Sequence, residues 1–235
     1  MLREFSFRAF SRSVFRRQRV GWCMPLLQVL QARGYATSVK TGQCMDAAGN
    51  PLPWISYPAI DYIRGVDLRD KTLFEFGGGF STLFWAPRVR SVTTVESNRH
   101  WHDKLAKQIP LNVKLFLREG ESGYLEVLRE SPTLFDIIVV DGDASVANRR
   151  KMAEAALEKR APGGLIILDN SDCHVRAAQV LREADLLQVD MAGFAPCNKV
   201  EQATSFFFDR QCRLKPLEQW QPIKSSGSMQ HYVEE

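Results

Sequence analysis

The chain has 235 residues, 45% hydrophobic and 25% charged, which suits one α/β domain with an extension and is long enough to bury a sizeable core. No apolar run approaches the roughly 18 residues of a membrane span. The five cysteines (Cys23, Cys44, Cys173, Cys197, Cys212) are scattered and form no C-x-x-C, which argues against a disulfide scaffold or zinc site and for a cytoplasmic chain with reduced thiols.

The formal charge of +4 is concentrated at the start. Residues 1–20 hold Arg3, Arg8, Arg12, Arg16, Arg17 and Arg19 against Glu4 alone, leaving 25 bases and 26 acids elsewhere. The main domain therefore shows no clear nucleic-acid site. The Arg- and Ser-rich start, with Phe5, Phe7, Phe10 and Phe15 interleaved, fits three uses: a plain basic arm, a mitochondrial transit peptide, or weak contact with an anionic membrane surface.

Residues 22–34 read as a short helix stopped at Gly34. The polar stretch 36–53, with Gly49-Asn50-Pro51 and Pro53 as turn signals, reads as a hinge. The expected organisation is a basic arm and helical extension over 1–53, a catalytic domain over 54–215 and a tail over 216–235. Within the domain, strands are expected at Thr72–Phe76, Ser91–Val95, Val113–Leu117, Phe135–Val140 and Leu165–Leu168. Helices are expected at 98–108, 122–130, 148–160 and 174–184. That alternation implies a parallel sheet covered by helices on both faces. Leu186–Met191 and Ala203–Asp209 leave no room for a crossover helix, so they should form an antiparallel hairpin at the sheet edge. The fold class is α/β: a Rossmann-like three-layer sandwich with a mostly parallel, seven-stranded sheet.

Gly77, Gly78 and Gly79 follow the first of these strands, where residues without a Cβ let the backbone turn and approach a ligand. Ser81–Ala86 can start the next helix, and Pro87 should end it. The loop is an imperfect dinucleotide fingerprint, since Thr82 stands where a third glycine would fall. Glu75 suits a cationic amino-acid group and would repel a pyrophosphate. Glu96, ending the second of these strands, can accept two hydrogen bonds from a ribose diol. Gly120, Glu121 and Ser122 are candidates for an adenine edge, with a helix-capping turn as the bland alternative.

Two acidic clusters follow later strands, Asp141-Gly142-Asp143 and Asp169-Asn170-Ser171-Asp172. Asp141, Asp169 and Asn170 offer hard oxygen ligands for Mg²⁺, and Asp141 and Asp169 are candidate catalytic groups; strand-end caps are the alternative. His174 is a candidate general base or a simple surface histidine. Trp54, Tyr57 and Pro58 could cover a ligand or merely pack.

On the motifs PWISYPAI, LFEFGGGFSTLFWA, TTVES, IIVVDGD, APGGLIILDNSD and GFAP…ATSFFFDR, residues 35–210 resemble the class I S-adenosylmethionine-dependent methyltransferases. More closely, they resemble a bacterial group often met beside sugar- or polysaccharide-modifying genes. The resemblance implies S-adenosylmethionine as cofactor and O-methylation, less readily N-methylation, of a small-molecule or saccharide acceptor. It also implies that G-Y-x-x-S-V and D-A-x-G-N-P-x-P-W belong to the folded protein, against a cleavage at Tyr35. VDGD and DN are similar to the cation-dependent caffeoyl-CoA and catechol O-methyltransferases, which implies metal ligands at Asp141, Asp169 and Asn170. This chain departs from them at Ala144, where a catalytic lysine is expected, with Lys151 a distant substitute. Rival readings are a nicotinamide-dependent oxidoreductase and a catalytically silent methyltransferase-fold binding module.

Overall fold

The computed structural model describes residues 20–142, 148–218 and 223–225. The arginine-rich arm through residue 19 lies outside them, as do Asp143, Ala144 and most of the expected tail.

Helix α1 (Val20–Ala32) ends at Gly34, whose left-handed φ of 75° reverses the chain. A second short helix, α2 (Tyr35–Thr41), and then α3 (Tyr57–Arg64) precede the sheet. Strand β1 (Val66–Asp67) pairs antiparallel with the late strand β9 (Lys215–Pro216) in a separate small ribbon. The main alternation follows: β2 (Thr72–Phe76), α4 (Phe80–Trp85), β3 (Ser91–Glu96), α5 (Arg99–Ala106), β4 (Val113–Leu117), α6 (Glu121–Arg129), β5 (Phe135–Val140), α7 (Arg149–Lys159), β6 (Arg160–Asp169) and α8 (Val175–Glu183). The chain closes the sheet with β7 (Leu187–Gly193) and β8 (Gln202–Phe208).

The seven-stranded sheet runs β4-β3-β2-β5-β6-β8-β7. Its first five members are parallel; β8 enters antiparallel to β6, and β7 pairs with it at the edge. The expected hairpin is present, with its second strand next to β6. Alternation along β5 shows why both faces need helices. Ile138 and Val140 pack with Tyr124, Leu128, Met152 and Leu181 from α6, α7 and α8. Ile137 and Val139 pack with Ile60, Phe84 and Trp85 from α3 and α4.

Residues 36–53, expected as a hinge, join that second core instead. Cys44, Leu52 and Ile55 are buried in it. The Tyr35 hydroxyl donates to the Asn198 carbonyl, and the Ser38 hydroxyl donates to the Met45 carbonyl. Arg33 pairs with Asp61 at 2.7 Å. The turn signals in this stretch are real, but they serve a packed cover rather than a loose connection. Leu52→Ala should therefore cost about 2–4 kcal/mol in urea unfolding, as for a core leucine. A cost below about 0.5 kcal/mol would show that the cover contributes nothing to the core.

Candidate active site

The carboxyl ends of the parallel strands lie level, because Phe76 is in register with both Val95 and Val140, and Val140 with Leu168. The loops after β2, β3, β5 and β6 thus meet along one edge of the sheet, the usual place for a ligand in an open α/β fold. Two adjoining hollows occupy that edge.

The first, of about 370 Å³, is lined by Gly77, Gly78, Gly79, Phe80 and Ser81 after β2, by Glu96, Ser97, Asn98 and Trp101 after β3, and by Asp141 and Gly142 after β5. Gly42, Cys44, Leu52 and Trp54 supply the opposite wall from the N-terminal cover. Gly77 has φ 88°, and a Cβ there would stand 2.4 Å from the Gly142 Cα. At Gly79 a Cβ would meet only open space, so backbone and cavity adjoin with nothing between.

Glu96 is buried on this wall. Its Oε2 accepts from the Gly78 N–H at 2.8 Å and its Oε1 from the Asn98 N–H at 2.6 Å. Those two bonds fix the carboxylate against the glycine loop and the start of α5. Asn98 also caps α5, accepting from the Trp101 N–H.

Glu75 is placed differently from the sequence expectation. It points to the α4 side of the sheet, 1% exposed, and does not line the cavity. Its Oε2 accepts from the hydroxyls of Thr82 at 2.6 Å and Thr94 at 2.9 Å, and Thr82 Oγ1 accepts in turn from the Gly79 N–H. Glu75 therefore anchors the glycine loop from below. Its Oε1 is buried and has no hydrogen-bond partner among the described residues. Burial pushes its pKa up to about 7, against the lowering effect of the surrounding hydroxyls.

The second hollow, of about 270 Å³, shares Trp54, Asp141 and Gly142 with the first and adds Arg149, Asp169, Asn170, Asn198 and Gln202. Asp141 Oδ1 accepts from Arg149 at 2.8 Å. Asp169 is buried; it accepts from Thr204 Oγ1 at 2.7 Å, and from Gln202 Nε2 at 3.1 and 3.2 Å. Burial, reinforced by the nearby Asp141 charge, raises the Asp169 pKa. Thr204 accepts from the Ser56 N–H. A second line of contacts runs from Trp54 Nε1 to Asn198 at 2.7 Å and from Asn198 to Gln202. The exposed Trp54 indole is thus tied through two amides to the Asp169 carboxylate.

The structure brings together Gly77, Gly78, Gly79, Ser81, Glu96 and Asp141 in one cavity, and Asp141, Asp169 and Asn170 in the other. Gly120, Glu121 and Ser122 line neither. Gly120 precedes α6 with φ 96°, Glu121 pairs with Lys151 at 2.6 Å, and the Ser122 hydroxyl donates to Glu126. His174 lines a separate small hollow with Asn148, Arg149, Arg150 and Cys173, where burial lowers its pKa.

The acidic tips do not suit Mg²⁺ in this arrangement. A guanidinium sits on Asp141, and three hydrogen bonds occupy Asp169. Among the described residues no group of three or more His, Cys, Asp or Glu is placed to hold a metal.

Sequence reasoning missed Ser97, Asn98 and Trp101, although a capping Asn just after Glu96 was a usable signal. It also missed Arg149, Asn198 and Gln202. The last two lie in or beside a connection whose path the sequence does not specify.

A sheet of this order, with glycines after its central strand and an acid ending the neighbouring strand, is the Rossmann-like α/β arrangement. Residues 74–171 match the family model described as a methyltransferase domain. Among curated proteins none matches. One similar solved structure is the O-methyltransferase TomG from Streptomyces achromogenes, involved in tomaymycin synthesis and determined with SAM: 16% identity, 77% of this chain, 89% of that one, TM-score 0.48. Another is a putative caffeoyl-CoA O-methyltransferase from Staphylococcus aureus: 15% identity, 65% of this chain, 80% of that one, TM-score 0.46. A third is the N-methyltransferase NodS from Bradyrhizobium japonicum WM9: 17% identity, 65% of this chain, 92% of that one, TM-score 0.45.

The position of Glu75 has a consequence for stability. With its folded pKa raised to about 7 from 4.5, the folded chain keeps a proton that the unfolded chain releases between those values. Its contribution is full below about pH 4.5 and is lost as pH rises through about 7. Glu75→Gln removes this dependence. Relative to the parent, the variant should gain on the order of 3 kcal/mol between pH 4.5 and 7.5, read from denaturant midpoints. A parallel pair of curves across that window would place the folded pKa near the ordinary value.

Proposed function

We propose that the chain is an S-adenosylmethionine-dependent methyltransferase that modifies an oxygen, less readily a nitrogen, of a small-molecule or saccharide acceptor. The observation that carries this reading is the pair of joined hollows: one bordered by the glycine loop and Glu96, the other by polar groups, with Asp141 and Trp54 at their junction. The first cavity suits a nucleoside bearing an amino-acid tail. Gly79 leaves open space at the backbone, and Glu96 offers a fixed carboxylate for a ribose diol. Bound there, the cofactor supplies an electrophilic methyl group on a sulfonium.

The chain's own residues then have mostly positional tasks, since in-line methyl transfer depends chiefly on alignment. Glu96 and the glycine backbone hold the nucleoside. Trp54 and Trp101 present exposed rings at the cavity wall, where they can pack against the bound nucleoside. Asp169, oriented by Thr204 and Gln202, receives the proton of the acceptor hydroxyl. The cofactor would supply the methyl for the acceptor oxygen, its sulfur keeping the electron pair of the broken bond. Gly120, Glu121, Ser122 and His174 have no part in this reading.

Calorimetry should show one binding site for S-adenosylhomocysteine per chain, and absence of binding to both it and S-adenosylmethionine would sink the proposal. Glu96→Ala should weaken that binding more than tenfold, about 1.5–3 kcal/mol for a hydrogen bond to a charged group. Unchanged affinity would remove Glu96 from the site.

A further inference from the structure

Two carboxylates and an amide on neighbouring strand tips are a donor set that a hard divalent cation would favour. Here the set is already supplied with a positive charge. Arg149, the first residue of α7, is brought to the strand tips by the Asn148 cap, whose side chain accepts from the Arg150 N–H. The Arg149 side chain is only 5% exposed and holds Asp141 at 2.8 Å. Asp169 feels the same guanidinium, which counteracts the effect of Asp141 on its protonation. Among the described residues Arg149 Nε and Nη1 have no hydrogen-bond partner, though both are buried, and the residue lines the acceptor hollow. A guanidinium is charged at all working pH values and has five donor hydrogens, so a single contact to Asp141 leaves most of its capacity unused.

We infer that Arg149 is the built-in cation of the acceptor hollow, excluding a divalent metal from Asp141, Asp169 and Asn170 and offering its remaining N–H groups to an acceptor oxygen. This rests on the second hollow being the acceptor site. A fixed positive charge there favours an oxygen that gains negative charge as its proton leaves, without an ion that must bind first. It also explains why acids collect at these strand tips without forming a metal cage: they are the counter-charges of an arginine. Among the described residues, the carboxyl groups facing the guanidinium are Asp141 on the β5 loop and Asp169 at the end of β6, and His174, which precedes α8, lies beside it in a neighbouring hollow.

The test uses Mn²⁺ as probe, with the electron paramagnetic resonance signal of the free ion reporting how much is bound. The full chain, with or without S-adenosylhomocysteine, should leave added Mn²⁺ free. Arg149→Gln removes the charge and should bind one Mn²⁺ about tenfold or more tighter than the parent. Adding Asp141→Asn to that variant should abolish the gain, and Arg149→Lys should continue to exclude the ion. One Mn²⁺ bound per parent chain and lost on Asp141→Asn would overturn the inference, and that measurement needs no arginine variant to fold. Failure of Arg149→Gln to bind Mn²⁺ while still binding S-adenosylhomocysteine would overturn it equally. Calorimetry with S-adenosylhomocysteine on the same samples reports separately on the methyl-donor reading.

Discussion

The edge of the sheet is organised by a contact between two backbones. Gly77 and Gly142, each with φ near 88°, touch where the loops after β2 and β5 leave the sheet. A side chain on Gly77 would collide with Gly142, and one on Gly142 would stand 2.4 Å from the Tyr124 hydroxyl. Positive φ and absence of a Cβ are both required, and only glycine supplies both cheaply. The contact brings Asp141 beside the glycine loop, and so makes one carboxylate a wall of two hollows at once. Had these loops been held a side chain apart, the cavity and the polar hollow would not share that boundary.

Support for this contact comes from below and from above. Below, Glu75 reaches the Gly79 N–H through the Thr82 hydroxyl, and Val95 accepts directly from the Gly77 N–H. Above, the chain before the sheet closes over the edge. Tyr57 N–H donates to Phe194, and the Ser56 hydroxyl donates to Met191, so the cover is bound to the terminal hairpin. The Cys44 and Cys197 thiols lie 3.9 Å apart across the same seam. Each polar group in the second hollow is consequently oriented by a different segment: Asp169 by β8, Trp54 by the hairpin connection, Asp141 by α7.

Much of this was legible in the residues, and for definite reasons. Buried parallel strands must be apolar on both faces, so Ile137-Ile138-Val139-Val140 announced a central strand, and the helical stretches between strands implied crossovers. The glycine loop and Glu96 were readable because their placement follows from strand ends, which sequence locates well. Glu75 shows the limit of that reasoning. Its number in the chain was informative, but alternation along β2 turns its side chain to the same face as Leu73, under the loop. The residues of the second hollow depend on how distant segments meet: Asn198 and Gln202 reach Trp54 and Asp169 across more than 30 positions of sequence. No local pattern encodes such a meeting. The acids at 141 and 169 were visible, while the arginine that pairs with Asp141 was one basic residue in a helix.

The cover also bears on how a ligand gets in and out. Its wall residues, Gly42, Cys44, Leu52 and Trp54, belong to chain that is buried against the sheet on one side and faces the cavity on the other. Displacing this wall to admit or release a ligand would loosen part of the hydrophobic core, a local unfolding event rather than the swing of a free loop. The shape of the cavity on this side is then coupled to the stability of the segment before the first strand. Residues outside the cavity lining, such as Ser38 and Tyr35, thereby help to hold that wall in place.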